Sequence, residues 1–327
     1  MAPVLSILDL APIGRDGDAG KSLADTVTLA RMAEECGYER VWYAEHHNMA
    51  RIASSATSVI IAHVACHTAR IRLGAGGVML PNHSPLTVAE QFGTLECLHP
   101  GRIDLGIGRA PGADRDTMRA LRRELGSTDR FPEDVLELQG YLKGESRIPG
   151  VDAVPGKGTN VPIYILGSSL YGAQLAAYLG LPYAFASHFA PAALEQAVAL
   201  YRKEFRPSAD LGAPYVMAGV NAAVAESHSE AEAQLQRALR ARVSSLLAAG
   251  RPLSDDEADS LLATPAGRHV AEMLTYSAVG TPAEAGEYLA NFSEKADADE
   301  LIVVLQSSLI EDRLRSGRLL AEACGLG

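Results

Sequence analysis

Ser22-Leu23-Ala24-Asp25-Thr26-Val27-Thr28-Leu29-Ala30-Arg31-Met32-Ala33-Glu34-Glu35-Cys36-Gly37, followed shortly by Arg40-Val41-Trp42-Tyr43-Ala44, is the stretch on which the fold turns. Leu23, Val27, Ala30 and Glu34 recur at helical spacing, Ser22 reads as the N-cap, and Gly37 supplies the residue that closes a helix. After its arginine, Arg40–Ala44 is a short apolar run without alternation, as in a strand buried on both faces. A helix feeding straight into such a strand is half of a βαβ unit.

The same strand character recurs at Val4–Leu10, Ile71–Gly76, Ile103–Ile107, Ile163–Leu166, Tyr183–Ala186, Tyr215–Ala223 and Leu301–Leu305, with helical periods between. Thr281-Pro282-Ala283-Glu284 is a capping box with proline at the first helical position, so a helix begins there. With Arg40–Ala44 the strands number eight. Strict alternation predicts a parallel sheet, and eight such units fit an α/β fold of the (β/α)8 TIM barrel type, one domain over residues 1–327. Two segments exceed the repeat. Gly140–Asn160 reads as a long loop before strand five. Residues 225–279, including Gly250-Arg251-Pro252-Leu253, read as a helical excursion before strand eight, either a lid over the barrel mouth or an inert insertion.

Composition narrows the partners. Among 327 residues, 29 Lys and Arg face 40 Asp and Glu, a net charge of −11, which argues against nucleic acid as the main partner. Hydrophobic residues at 47% and charged residues at 21% are those of a globular chain. Cys36, Cys66, Cys97 and Cys324 form no C-x-x-C pair, which points to the cytoplasm. The N-terminus lacks a basic n-region and reads as a first strand rather than a signal peptide. The longest uncharged stretch, Gly158–Leu194, is broken repeatedly by Gly, Pro, Ser and Gln, so no membrane span is expected.

In such a barrel the working residues stand at the C-terminal ends of the strands. Strand two ends in Glu45-His46-His47-Asn48, where a histidine can serve as base or hydrogen-bond donor, or simply cap a polar loop. Strand three ends in Gly74-Ala75-Gly76-Gly77, which lets a flat ligand approach the backbone or marks a bulge. Strand four ends in Gly106-Ile107-Gly108-Arg109-Ala110-Pro111-Gly112. Its glycine spacing and its proline do not match a dinucleotide fingerprint, leaving Arg109 as a phosphate-binding candidate or a surface arginine. Strand five ends in Gly167-Ser168-Ser169 at a helix start, an anion site or a simple N-cap. His63 and His67 have metal-ligand spacing, but no H-E-x-x-H arrangement or nearby carboxylate accompanies them, so no metal is expected.

Taken in order, the motifs resemble the bacterial luciferase family of flavin-dependent monooxygenases. The matching pieces are Gly37-Tyr38-Glu39-Arg40-Val41-Trp42-Tyr43-Ala44-Glu45-His46-His47, Gly76-Gly77-Val78-Met79-Leu80-Pro81-Asn82-His83-Ser84-Pro85 and Pro100-Gly101-Arg102-Ile103-Asp104-Leu105-Gly106-Ile107-Gly108-Arg109. Val161-Pro162-Ile163-Tyr164-Ile165-Leu166-Gly167-Ser168-Ser169 and Val279-Gly280-Thr281-Pro282-Ala283-Glu284 follow in the same order. The resemblance implies FMN, reduced by a separate flavin reductase and reacting with O2 to oxygenate a small organic substrate. It implies that His46 lies at the flavin reaction centre, that Gly76-Gly77 forms a cis peptide beneath the ring, and that Arg109, Ser168 and Ser169 hold the phosphate. Ser168 replaces an acidic residue of the light-emitting members, Gly172 a threonine and Gly108 a reactive thiol. Weakly held flavin and no light emission are therefore expected. The resemblance also implies a homodimer through the second and third barrel helices, with Glu90 near the contact. Alternatives are an F420-dependent oxidoreductase on the same barrel and a flavin-binding protein without turnover. His188 and Phe189 lie where a substrate pocket is expected, without a ranking between them.

Overall fold

A computed structural model of the chain describes residues 3–14, 17–110, 115–123, 127–248 and 251–326. Pro111, Gly112 and Gly250, named above, lie outside them. The strands are β1 (Val4–Asp9), β2 (Arg40–Tyr43), β3 (Arg72–Met79), β4 (Ile103–Gly108), β5 (Ile163–Gly167), β6 (Tyr183–Phe185), β7 (Val216–Val224), β8 (Ser277–Gly280) and β9 (Glu300–Leu305). All pairings among them are parallel. The first seven and β9 close an eight-stranded barrel, β9 lying between β7 and β1, and β6 meeting β7 through Tyr183–Val216 and Phe185–Ala218.

The helices are α1 (Ala19–Glu35), α2 (Thr57–Ala65), α3 (Pro85–Leu98), α4 (Arg115–Ala120), α5 (Phe131–Lys143) and α6 (Leu170–Leu179). They continue as α7 (Leu194–Glu204), α8 (His228–Leu247), α9 (Asp255–Leu262), α10 (Pro265–Glu272), α11 (Pro282–Ala296) and α12 (Ile310–Ala323). No helix among the described residues is long and apolar enough to cross a membrane.

The structure departs from the sequence pattern at two places. Helix α1 begins earlier than its apolar period suggests: Asp18 is the N-cap and accepts the Lys21 N–H at 2.6 Å, a position where a carboxylate also meets the positive helix end. Ser22 is buried one turn on and donates to the Pro12 carbonyl. The other end behaves as its sequence predicts, with Gly37 at φ 81°. The Thr281–Glu284 capping box forms in full. The second departure is β8, an extra strand at the end of the excursion that pairs, among the described residues, only with the C-terminal end of β7, beyond the reach of β6. The excursion otherwise folds as α8, α9 and α10 around a small core of Val243, Leu253, Ala258 and Val270. The first residues of Gly140–Asn160 complete α5, which ends at Gly144 with φ 80°.

The barrel interior is filled by Leu8, Trp42, Ala44, Tyr164, Ala184, Met217, Ile302 and Val304. Gly74 is required by Trp42, because a Cβ there would lie 2.6 Å from the indole Nε1. Below this layer, at the strand N-termini, Arg40 donates to both oxygens of Glu300, at 2.9 and 3.1 Å, and to Asp104 at 2.8 Å. Arg72 also pairs with Asp104, Trp42 donates to it, and Tyr215 donates to Glu300 at 2.6 Å. Two guanidinium groups thus meet two carboxylates, and the plug closes that end of the barrel without net charge.

Candidate functional site

The opposite end is open. A cavity of about 1300 Å³ stands over the C-terminal ends of the strands, larger than the roughly 300–1,000 Å³ of a pocket for one drug-sized ligand. Leu10, His46, Met79, Arg109, Ser168, His188 and Gln306, each at or after the end of a different strand, line it. Helix α8 covers part of it with Arg237, Ala238, Ala241, Arg242 and Ser245.

His46 is held by its backbone: its N–H donates to the Ser54 carbonyl at 3.0 Å, and Ser54 Oγ donates to the Ala44 carbonyl. The preceding residue fixes the turn from below. Buried Glu45 accepts hydrogen bonds from His47 Nε2 at 2.8 Å, His83 Nε2 at 2.9 Å, the Met79 N–H at 3.1 Å and Asn82 Nδ2 at 3.3 Å. Burial pushes the Glu45 pKa up, but the bonds from His83, His47 and Met79 outweigh it, and the carboxyl titrates below its ordinary value. A charged clamp therefore ties the loop after β2 to the segment after β3. His46 itself has its pKa lowered, foremost by burial, with Glu45 opposing and His47 assisting, so its imidazole is neutral at pH 7. Its Nδ1 is buried and makes no hydrogen bond within the protein.

The Gly76–Gly77 peptide is cis, and the pairing of β3 with β4 shifts register between Gly76 and Val78. Gly76 lines the cavity, and a Cβ there would lie 2.8 Å from Leu8 Cδ1. A Cβ on Gly77 would lie 2.7 Å from the Gly106 carbonyl oxygen of β4, so the two strands touch backbone to backbone.

Arg109 leaves β4 as an exposed side chain with its guanidinium 4.1 Å over the Tyr171 ring. Ser169 is the N-cap residue of α6, yet its side chain makes no capping bond, leaving the first N–H groups of the helix free to meet an anion. Arg109, Ser168, Ser169 and that helix end line the same part of the cavity wall with Tyr171 and Gly172. They have the donor chemistry of a phosphate cradle. His63 and His67 are elsewhere, exposed on α2 and the turn after it, rings edge to face at 4.8 Å. No cluster of three metal-ligating side chains occurs among the described residues.

Two further residues of the wall are distinguished by the structure: His188, which the sequence places near a pocket without ranking, and Arg242, which it does not single out. His188, after β6, is buried against Gly219, its Nδ1 without a partner and its pKa pushed down to about 3 by burial, then by Arg242 and His46. A strand-end rule applied to β6 finds it. Arg242 belongs to α8, whose helical pattern carries no mark distinguishing it from Arg237 or Arg240.

A parallel (β/α)8 barrel with a large cavity at its C-terminal face defines the class, and comparison defines the family. Residues 4–299 match the family model described as luciferase-like monooxygenase. The chain belongs to that family. It is 48% identical over 321 residues to a "Luciferase-like monooxygenase" of Escherichia coli (strain K12), covering 96% of this chain and 95% of the relative. An "N-acetyl-S-alkylcysteine monooxygenase" of Bacillus subtilis (strain 168) is 44% identical over 193 residues, 56% of each chain. Among solved structures, apo-MsnO8 superposes with a TM-score of 0.88 at 35% identity, covering 99% of this chain and 98% of that one.

Proposed function

We propose that this protein is a flavin-dependent monooxygenase that takes reduced FMN from a separate flavin reductase and inserts one atom of O2 into a small organic substrate. The observation that carries the reading is convergence on one cavity: His46, Gly76, and the Arg109, Ser168 and Ser169 cradle all line it. These fit FMN, whose phosphate needs paired N–H donors and whose flat ring needs a wall free of Cβ atoms.

Bound reduced FMN supplies the electrons with which O2 is split between the product and water. Arg109 and the α6 N-terminus bind the phosphate, and the glycine wall admits the ring. Neutral His46 accepts a hydrogen bond or a proton at Nδ1, and Glu45 fixes the loop that carries it. Helix α8 acts as a lid that keeps water from the reacting atoms. Four free thiols suit a reducing cytoplasm. Exposed Val59 on α2 and Leu98 on α3 suit a homodimer through those helices.

Titration of FMN and F420 into the purified protein, followed by fluorescence, tests the cofactor. FMN is expected to saturate at one equivalent, and preference for F420 overturns the assignment. With NADH, a flavin reductase and isotopically labelled O2, label is expected in the product; its absence across substrates that bind removes the monooxygenase reading.

A further inference from the structure

The cavity wall carries several cations, and almost all are engaged. Lys21 pairs with Asp25 at 3.0 Å, Arg237 with Asp312 at 3.4 Å and Arg313 with Asp9 at 2.9 Å. Arg240 holds both Asp255 and Asp259 at 2.6 Å, and Arg51 donates to the Gly14 carbonyl at 2.8 Å. Arg109 lies over Tyr171 in the phosphate cradle. Arg242 differs: it is half-buried and lines the cavity, and among the described residues it has no carboxylate and no hydrogen-bond acceptor. Burial alone pushes its pKa down, with no acidic neighbour opposing.

A guanidinium on a cavity wall without a carboxylate beside it leaves its N–H donors open to an anionic ligand, which supplies the missing counter-charge. The surrounding protein supplies no rival: neighbouring His188 is held neutral, and both groups line the cavity. Arg242 is carried by α8, after β7, whereas the phosphate cradle stands at the ends of β4 and β5.

We propose that Arg242 anchors a carboxylate on the substrate, beside His188, and that this protein therefore acts on small organic acids rather than on neutral compounds. The inference rests on the monooxygenase reading only in that the anchored molecule is the one oxidised. The guanidinium matches a carboxylate through two parallel N–H donors, so lysine is an incomplete replacement. His46, His188 and Arg242 line one cavity, which puts the anchored end in the same chamber as the flavin-side histidine.

The experiment uses Arg242→Gln, Arg242→Lys and Arg109→Ala. A panel of carboxylates from acetate to octanoate, with phenylacetate, is titrated against the matching primary amides by calorimetry, on flavin-free and FMN-loaded protein. At least one carboxylate is expected to bind the wild type tenfold or more tightly than its amide. Arg242→Gln brings the two within about twofold while FMN affinity stays within twofold. Arg242→Lys keeps part of the preference, and Arg109→Ala weakens FMN but leaves it intact. Removing an uncompensated charge leaves the melting temperature of Arg242→Gln unchanged or raised. The proposal is overturned if no carboxylate is preferred, if the preference survives Arg242→Gln, or if Arg242→Gln weakens FMN as much as Arg109→Ala, which makes Arg242 a phosphate ligand. Because the preference is also read on flavin-free protein, failure of FMN to bind leaves the result legible.

Discussion

Gly219 of β7 makes room for His188: a Cβ on the glycine would lie 2.3 Å from the imidazole Nδ1 and 3.3 Å from the His188 backbone nitrogen. The ring has little freedom to retreat, because Asn221 Nδ2 holds the His188 carbonyl at 2.9 Å and Ser187 Oγ holds the Gly219 carbonyl at 2.6 Å. Gly219→Ala therefore pushes the imidazole into the cavity. We expect a loss of about 1–3 kcal/mol in urea unfolding, a raised substrate KM and little change in FMN affinity. Unchanged stability and KM would show that the pocket accommodates the methyl.

His188 also sets a pH dependence. Its folded pKa, about 3, is below the ordinary 6.5. As pH falls through about 6.5 the unfolded chain takes up a proton that the fold refuses. Stability is therefore full above about 6.5 and is lost progressively toward about 3. His188→Gln removes this contribution, so the fall in unfolding free energy between pH 7 and pH 4 shrinks by about 2–3 kcal/mol. His46, lowered in the same direction, supplies a smaller slope that persists in the variant. Parallel pH profiles for the two proteins would refute the assignment.

How far sequence reaches is visible in these residues. The Thr281–Glu284 box and the Gly37 terminus are local, complete within four residues or one backbone conformation, and both form as their residues predict. His46, Gly76, Arg109, Ser168 and Ser169 come to one cavity because barrel topology gathers strand ends. What escapes sequence is non-local or ambiguous. Asp18 and Ser22 are both capping types, and only packing against Pro12 decides between them. Strand β8 has four residues and one partner, too short for a period. Arg40 meets partners 64 and 260 positions away, and Arg242 gains meaning only from the absence of a counter-charge around it.

Arg109 offers a test of the phosphate end independent of turnover. Arg109→Ala removes a charge-assisted donor that no described carboxylate occupies. We expect FMN affinity to fall by about 1.5–3 kcal/mol, measured by flavin fluorescence. Riboflavin, which lacks the phosphate, is expected to bind wild type and variant alike. Equal weakening of both flavins would place Arg109 against the ring system instead.

At the far end of the barrel, Arg40→Met leaves Glu300 without its bidentate partner and Asp104 with Arg72 as its one cation among the described residues. Uncompensated buried carboxylates are costly, and a loss of about 3–5 kcal/mol is expected in chemical denaturation. Because Trp42 and the apolar layer separate the plug from the cavity, FMN affinity of the folded variant is expected to stay within a factor of two. A large change in FMN binding would show that the two ends of the barrel are coupled.

The outer faces of α2 and α3 bear on assembly. Val59 is 67% exposed and Leu98 64%, on adjacent helices joined by a Ser58–Gln91 hydrogen bond, with the exposed thiols of Cys66 and Cys97 nearby in sequence. Two large apolar side chains facing solvent on neighbouring helices fit a self-complementary contact, where a two-fold axis brings each patch against its copy. Sedimentation at micromolar concentration is expected to give a dimer. Val59→Glu places two carboxylates across that axis, where like charges repel, and is expected to raise the dissociation constant at least tenfold without altering the melting profile of the isolated subunit. A wild type that sediments only as monomer, or a Val59→Glu dimer as tight as the wild type, would exclude this face as the contact.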